Sequence, residues 1–144
     1  MKLTKSLVIT AGLILATLSH AATPGDEARF LTAVRDAYIK KDKDAVIALT
    51  CWDNVTEKHR SRAPIALEKY AFSRLLKSAE YVFLDPAEDM NLTKDGVTYS
   101  PNLVIIKKIQ LVYEDFPDGG QMKSSLFIGE KGGKLMIVNL APRP

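Results

Sequence analysis

The chain has one cysteine, one tryptophan and two histidines in 144 residues. A single cysteine forms no internal disulfide, so the fold has to be held by burial alone. For Cys51 two readings stay open: a buried, inert thiol, since free cysteine is among the most buried residue types, or a bridge between two copies of the chain. His20 falls in the leader described below, which leaves His59 as the one histidine beyond it. One His and one Cys are too few for a typical zinc site, and a catalytic thiol has no evident base. No Gly-x-Ser-x-Gly elbow occurs. The Gly119-Gly120 and Gly132-Gly133 pairs belong to hairpin-type turns, not to strand-to-helix junctions, so they are not phosphate loops. Asp85, Glu88 and Asp89 lack the alternating acids and glycine of a calcium loop and read as a solvated acidic stretch. No metal and no cofactor is expected.

A strong charge of one sign is also missing. The full chain carries 20 Lys+Arg against 17 Asp+Glu, and without Lys2 and Lys5 the balance is 18 against 17. A nucleic-acid binder usually concentrates a large basic excess, so nucleic acid is not an expected partner. Nor is there an apolar run long enough for a bilayer span, which needs roughly 20 residues. Lys2, Lys5, the apolar stretch Leu7 to Leu18 and the small residues around Ser19-His20-Ala21 have the order of an export signal, cut after Ala21. The expectation is a signal peptide over residues 1–21 and one domain over 22–144, periplasmic or secreted, with no membrane contact once the signal is gone.

The remaining chain starts with helix punctuation. Thr23 is a capping residue, Pro24 suits the first helical position, and Asp26 and Glu27 place negative charge in the first turn. Phe30, Leu31, Val34, Ala37 and Tyr38 then recur at helical spacing, and Lys40 and Lys41 close the helix. Asp42-Lys43-Asp44 turns the chain into a short helix over Ala45 to Thr50, carrying Val46, Leu49 and Trp52 inward. Asn54 to Glu57 has capping-box spacing and starts a polar turn. Pro64 to about Ser78 reads as a third helix.

From Tyr81 the pattern changes to strands. Tyr81 to Leu84 is a short β-rich run, residues 87–96 read as a polar loop, and Val97 to Tyr99 as a brief edge strand. Leu103 to Glu114 is the longest strand candidate, with Ile109, Leu111 and Tyr113 on one parity. Glycine turns then join it to strands over Met122 to Glu130 and Leu135 to Leu140, an antiparallel meander. Helices first and sheet afterwards predict an α+β domain, with three helices packed on one face of a curved antiparallel sheet.

The opening Phe30 to Leu49 (helix, charged turn, short helix) and the closing Phe127 to Leu140, where a lysine-glycine hairpin precedes a final strand, resemble the NTF2-like superfamily, also called SnoaL-like or cystatin-like cone. Cys51-Trp52-Asp53, Tyr99 to Leu103 and Gly129 to Pro142 are similar to exported bacterial proteins, which implies location and fold but no activity. The superfamily resemblance implies a cone-shaped pocket between helices and a concave sheet. Its members include ketosteroid isomerases, polyketide cyclases and dehydratases as well as binding domains. They share no catalytic residue, so none is carried over by position.

The candidate residues follow from chemistry alone. His59, in Glu57-Lys58-His59-Arg60, reads as a solvated histidine, with a pocket role as the alternative. Asp53 and Asp85 would be the bases of an enzyme if burial raised their pKa. Asp53 is equally suited to capping the next helix, and Asp85-Pro86 to an ordinary turn. Tyr38, Trp52 and Tyr113 are expected to line any pocket, because aromatics with a polar tip suit an amphipathic ligand. The leading expectation is a non-catalytic domain that binds a small amphipathic ligand or a protein partner, with pairing of two copies through the sheet. The alternative is an isomerase- or cyclase-type enzyme using an aspartate base and a tyrosine.

Overall fold

The computed structural model describes residues 21–144, so all but the last residue of the expected signal lies outside the described residues. The first helix, α1 (Pro24–Ile39), begins as its local signals predict. Thr23 Oγ1 accepts from the Asp26 amide while the Asp26 carboxylate accepts from the Thr23 amide, a reciprocal cap. Phe30, Val34, Ala37 and Tyr38 are buried along one face. Asp42 caps the short α2 (Lys43–Ala48), which buries Val46.

The third helix differs from the sequence expectation in both position and length. α3 (Glu57–Ala66) is capped by Thr56, whose Oγ1 accepts from the His59 amide, and Asn54 instead takes a left-handed φ of 58°. Pro64 lies inside the helix rather than at its start. Proline has no N–H to give the preceding turn, and beyond it the ladder slips into a π turn over Leu67–Ala71 that ends with Phe72 N–H donating to the Leu67 carbonyl at 2.8 Å. α3 buries no residue of its own, and Phe72, at the end of the π turn, is the one that enters the core.

Leu76 to Ser78, expected as the end of that helix, begins strand β1 (Leu76–Val82). Pairing with a long central strand overrides the helical preference of Leu-Lys-Ser-Ala-Glu. That central strand is β4 (Lys107–Tyr113), shorter than predicted because residues 102–106 are used in a crossing described below. β5 (Lys123–Lys131) and β6 (Lys134–Ile137) complete an antiparallel sheet of order β1-β4-β5-β6. The predicted meander is therefore present. Ile109, Leu111 and Tyr113 share the buried face of β4, as their parity required. They pack with Val34, Ala79 and Ile128 in the core, where each fully buried aliphatic side chain contributes about 1.5–3 kcal/mol. α1 lies against β1 and β6, fastened at its flank by Arg35 donating to the Ala79 carbonyl at 2.8 Å and by the Tyr81 hydroxyl donating to the Glu27 carbonyl at 2.8 Å.

A second, three-stranded antiparallel sheet lies in a stretch expected to be mainly loop. β2 (Leu92–Lys94) and β3 (Val97–Pro101) form a hairpin, and β7 (Leu140–Pro142) pairs with the other side of β3. The hairpin turns on Asp95-Gly96, with φ of 52° and 76°. This is the left-handed pair that a two-residue turn demands. β3 is thus the middle strand of its sheet, not an edge. The described residues form an α+β domain with three helices and a strongly curled antiparallel sheet.

Candidate functional site

The feature that gathers aromatic and ionisable side chains is a groove of about 330 Å³ between α3 and the second sheet, lined by Trp52, His59, Ala63, Leu92, Lys94, Tyr99, Asn139 and Leu140. Each wall has a local cause. Thr56 caps α3 and so fixes the turn that carries His59 and Ala63. The Asp95-Gly96 turn sets the register that places Leu92 opposite Tyr99. The β3–β7 pairing brings in Leu140, next to Asn139.

Trp52 forms the back of the groove, and two contacts hold it. Its indole N–H donates to the Ile47 carbonyl at 2.8 Å, and the Arg60 guanidinium stands 5.7 Å over the ring. Behind it is a smaller hollow of about 170 Å³ that shares Trp52, Ala63 and Asn139 with the groove and adds Tyr38, Val46, Leu67 and Ile137. Trp52 therefore lines both hollows, each of which has polar as well as apolar walls.

His59 sits at the rim, exposed. Its Nδ1 is 2.9 Å from Thr56 Oγ1 and its ring meets Tyr99 edge-on, with centroids 5.4 Å apart and planes at 82°. Lys94 has no carboxylate partner among the described residues, so its ammonium is available to a guest.

Asn139, in the groove lining, is tied to Asn102 just outside it, and no local sequence pattern marks either residue. Asn102 Nδ2 donates to the carbonyls of Cys51 and Asp53 at 2.9 and 3.0 Å, and its Oδ1 accepts from the Asn139 amide at 2.9 Å. The Asn102 amide in turn donates to the Asn139 carbonyl at 2.9 Å. One side chain thus ties the segment after α2 to the strand entering β7. The chain can cross there because residue 129 is glycine. A Cβ at Gly129 would stand 2.7 Å from Leu103 Cβ and 2.8 Å from the Val104 carbonyl oxygen. The sequence signal for this was slight, a glycine inside a strand pattern.

The other candidates fall as follows. Asp53 caps no helix; its exposed carboxylate pairs with Lys131, and this bond holds the carboxyl below the usual aspartate range. Asp85 is exposed and accepts from the Ala87 amide at 2.9 Å, a turn of its own. Neither lines the groove. The rest of the acidic stretch is likewise committed, Glu88 to Lys108 and Asp89 to Asn91. Tyr38 lines the inner hollow only; burial pushes its hydroxyl pKa well above the usual value. Tyr113 lines neither chamber. It is 1% exposed in the core, because it shares the buried parity of Ile109 and Leu111, and burial raises its pKa. Cys51 is 1% exposed, and its amide donates to the Ile137 carbonyl at 2.9 Å, an arrangement that supports the inert reading and keeps the thiol from a partner chain. A hollow of similar size beside α1 has its Asp26 and Arg29 already bonded to each other. Among the described residues no helix is long and apolar enough to cross a membrane.

No protein-family model, curated protein or solved structure matches the chain.

Proposed function

We propose that this chain is an exported, non-catalytic domain of the NTF2-like cone type that binds a small amphipathic ligand in the Trp52 groove. The observation that carries this reading is the mixed lining of the Trp52 groove. Leu92, Leu140, Tyr99 and the indole offer an apolar surface, and Lys94, His59 and Asn139 add polar atoms to the same lining. A ligand with a flat or aliphatic body and a carboxylate or other acceptor end fits that lining. A groove of about 330 Å³ with apolar and polar groups in one lining suits a small molecule better than a protein partner, whose interface is ordinarily much broader. An isomerase or cyclase would need an acid beside a tyrosine in a closed hollow. Asp53 and Asp85 stand at the surface and are bonded elsewhere. Location in the periplasm or outside the cell, and the cone itself, rest on the leader residues and the helix-turn-helix and hairpin resemblance.

The test is a titration of the purified domain with 2-naphthoate and with decanoate, followed by NMR. Shifts should concentrate at the Trp52 indole and at the amides of Tyr99, Asn139 and Leu140. Trp52→Ala should abolish binding, and Lys94→Gln should weaken it about tenfold, the loss of one charge-assisted contact. Shifts spread over other surfaces, or equal affinity in Trp52→Ala, would sink the assignment of the site.

A further inference from the structure

Ala22 is the first residue the fold grips. Its amide donates to Glu130 Oε2, on β5, at 3.3 Å, and the residue packs half-buried against the core cluster of α1. Thr23 then gives both its amide and its hydroxyl to Asp26, each at 2.9 Å, and Pro24 opens the helix. Ala21, one position earlier, is exposed.

The carboxylates around this point are unequally committed. Asp26 is bonded to Thr23 and Arg29, and Glu27 pairs with Lys107 at 3.1 Å. Glu130 is half-buried and has no cation partner among the described residues, only the neutral amide of Ala22. A half-buried carboxylate facing one neutral donor is under-compensated, and a charged donor at the same atom would roughly double the strength of the bond.

We propose that the export cut falls between Ala21 and Ala22, and that the α-ammonium it creates becomes the ion-pair partner of Glu130, seating the new N-terminus. In the step, water adds across the Ala21–Ala22 amide in a signal peptidase. The C–N bond breaks, the Ala21 carbonyl carbon takes the hydroxyl and leaves as a carboxylate, and the Ala22 nitrogen takes protons to become an ammonium. The donor that now contacts Glu130 is this nitrogen, so cleavage converts an existing contact into a charged one without moving the chain. A positive charge just before α1 opposes the helix dipole, and the acids Asp26, Glu27 and Glu130 around it offset that cost.

The inference rests on the export reading, and the experiment separates the two. The full chain is exported from a bacterial cell with its own leader, purified, and its N-terminus determined by intact mass and sequencing; the expected first residue is Ala22. Thermal midpoints are then compared in a two-by-two set: native start or a start shifted to Ala21, each with Glu130 or Glu130→Gln. Either change should lower the midpoint by about 2–4 °C, and the two losses should not add, because either one removes the same pair. N-terminal acetylation of the wild-type chain, which leaves Glu130 intact, should give the same loss and serves if Glu130→Gln does not fold. Additive losses, or a first residue other than Ala22, overturn the inference. A chain that retains its leader overturns it together with the export reading, while leaving the groove titration unaffected.

Discussion

Replacing Asn102 with alanine should loosen the groove and the fold together. The substitution removes three hydrogen bonds at once: two donated to the Cys51 and Asp53 carbonyls and one accepted from the Asn139 amide. The bonds to the Cys51 carbonyl and from the Asn139 amide are partly buried and the one to Asp53 is exposed, so they carry a net of about 0.5–1.5 kcal/mol each, with the lower figure at Asp53 and the higher at the Asn139 amide, which is left without its partner. The sum is about 2–3 kcal/mol. With a urea m-value of about 1.5 kcal/mol/M for a domain of this size, the denaturation midpoint should fall by about 1.3–2 M. Asn102→Asp should lose nearly as much, because it keeps the acceptor for Asn139 but turns a carboxylate oxygen toward two carbonyls. Asn91→Ala, at an exposed turn where Asn91 bonds Arg143, is the matched control and should move the midpoint by less than about 0.3 M. Urea unfolding followed by Trp52 fluorescence makes the measurement directly. A shift below about 0.5 M for Asn102→Ala would refute the reasoning, since it would mean the two segments are held together by something other than that side chain.

Gly129→Ala should cost about 1–3 kcal/mol in the same assay, because the new methyl meets the Leu103 Cβ and the Val104 carbonyl inside contact distance; an unchanged midpoint would mean that residues 103–104 move aside freely. The thiol of Cys51, 1% exposed, should react with a disulfide reagent at the rate of unfolding and not before, which a stopped-flow comparison with the unfolding rate decides. Burial and the nearby Glu27 charge push Tyr81 up to about 12, and burial raises Tyr38 and Tyr113 above their usual value. A folded-state pKa above the unfolded one of about 10 means that these hydroxyls stabilise the fold fully below that pH and lose the contribution as pH rises through the folded values. Stability should therefore drop between about pH 10 and 12, with tyrosinate absorbance appearing in step with unfolding; tyrosinate formed by these three residues in a still-folded chain would contradict it. Asp53→Asn removes the exposed pair with Lys131 and should have an effect that moderate salt erases, as checked by repeating the denaturation at two ionic strengths.

Local signals carried much of the fold. Thr23, Pro24 and Asp26 announced α1 because capping is settled within four residues, and the parity of Ile109, Leu111 and Tyr113 announced the buried face of β4. The glycine turns announced the meander for the same reason. What failed was decided elsewhere in the chain. Leu76 to Ser78 reads as helix until β4 is there to pair with it, and Pro64 reads as a boundary although α3 runs through it to Ala66. The Asp95-Gly96 turn was legible in principle, but the weakly apolar strands on either side hid it. Trp52 and Tyr38 were identified as chamber-lining residues from their chemistry alone. Lys94, Leu92, Asn139 and Leu140 were not, because only the pairing of β3 with β2 and β7 brings them to Trp52. Tyr113 was misplaced because an amphipathic ring suits a core as well as a pocket.

The pairing of β3 with β7 also sets an order of events. A lone two-stranded hairpin is marginally stable in water, so β2 and β3 gain a lasting partner only when Leu140 to Pro142 reach Tyr99 to Pro101. As the chain folds, the core helices and the larger sheet can assemble around Ile109 and Ile128 while the groove is still missing a wall. The groove is thus the last part of the fold to be completed, and on the ligand-binding reading proposed above binding ability comes with it. A nascent chain halted before residue 140 would be folded in its larger sheet yet unable to hold a guest, so a ligand-affinity column would separate finished molecules from truncated ones even where circular dichroism could not.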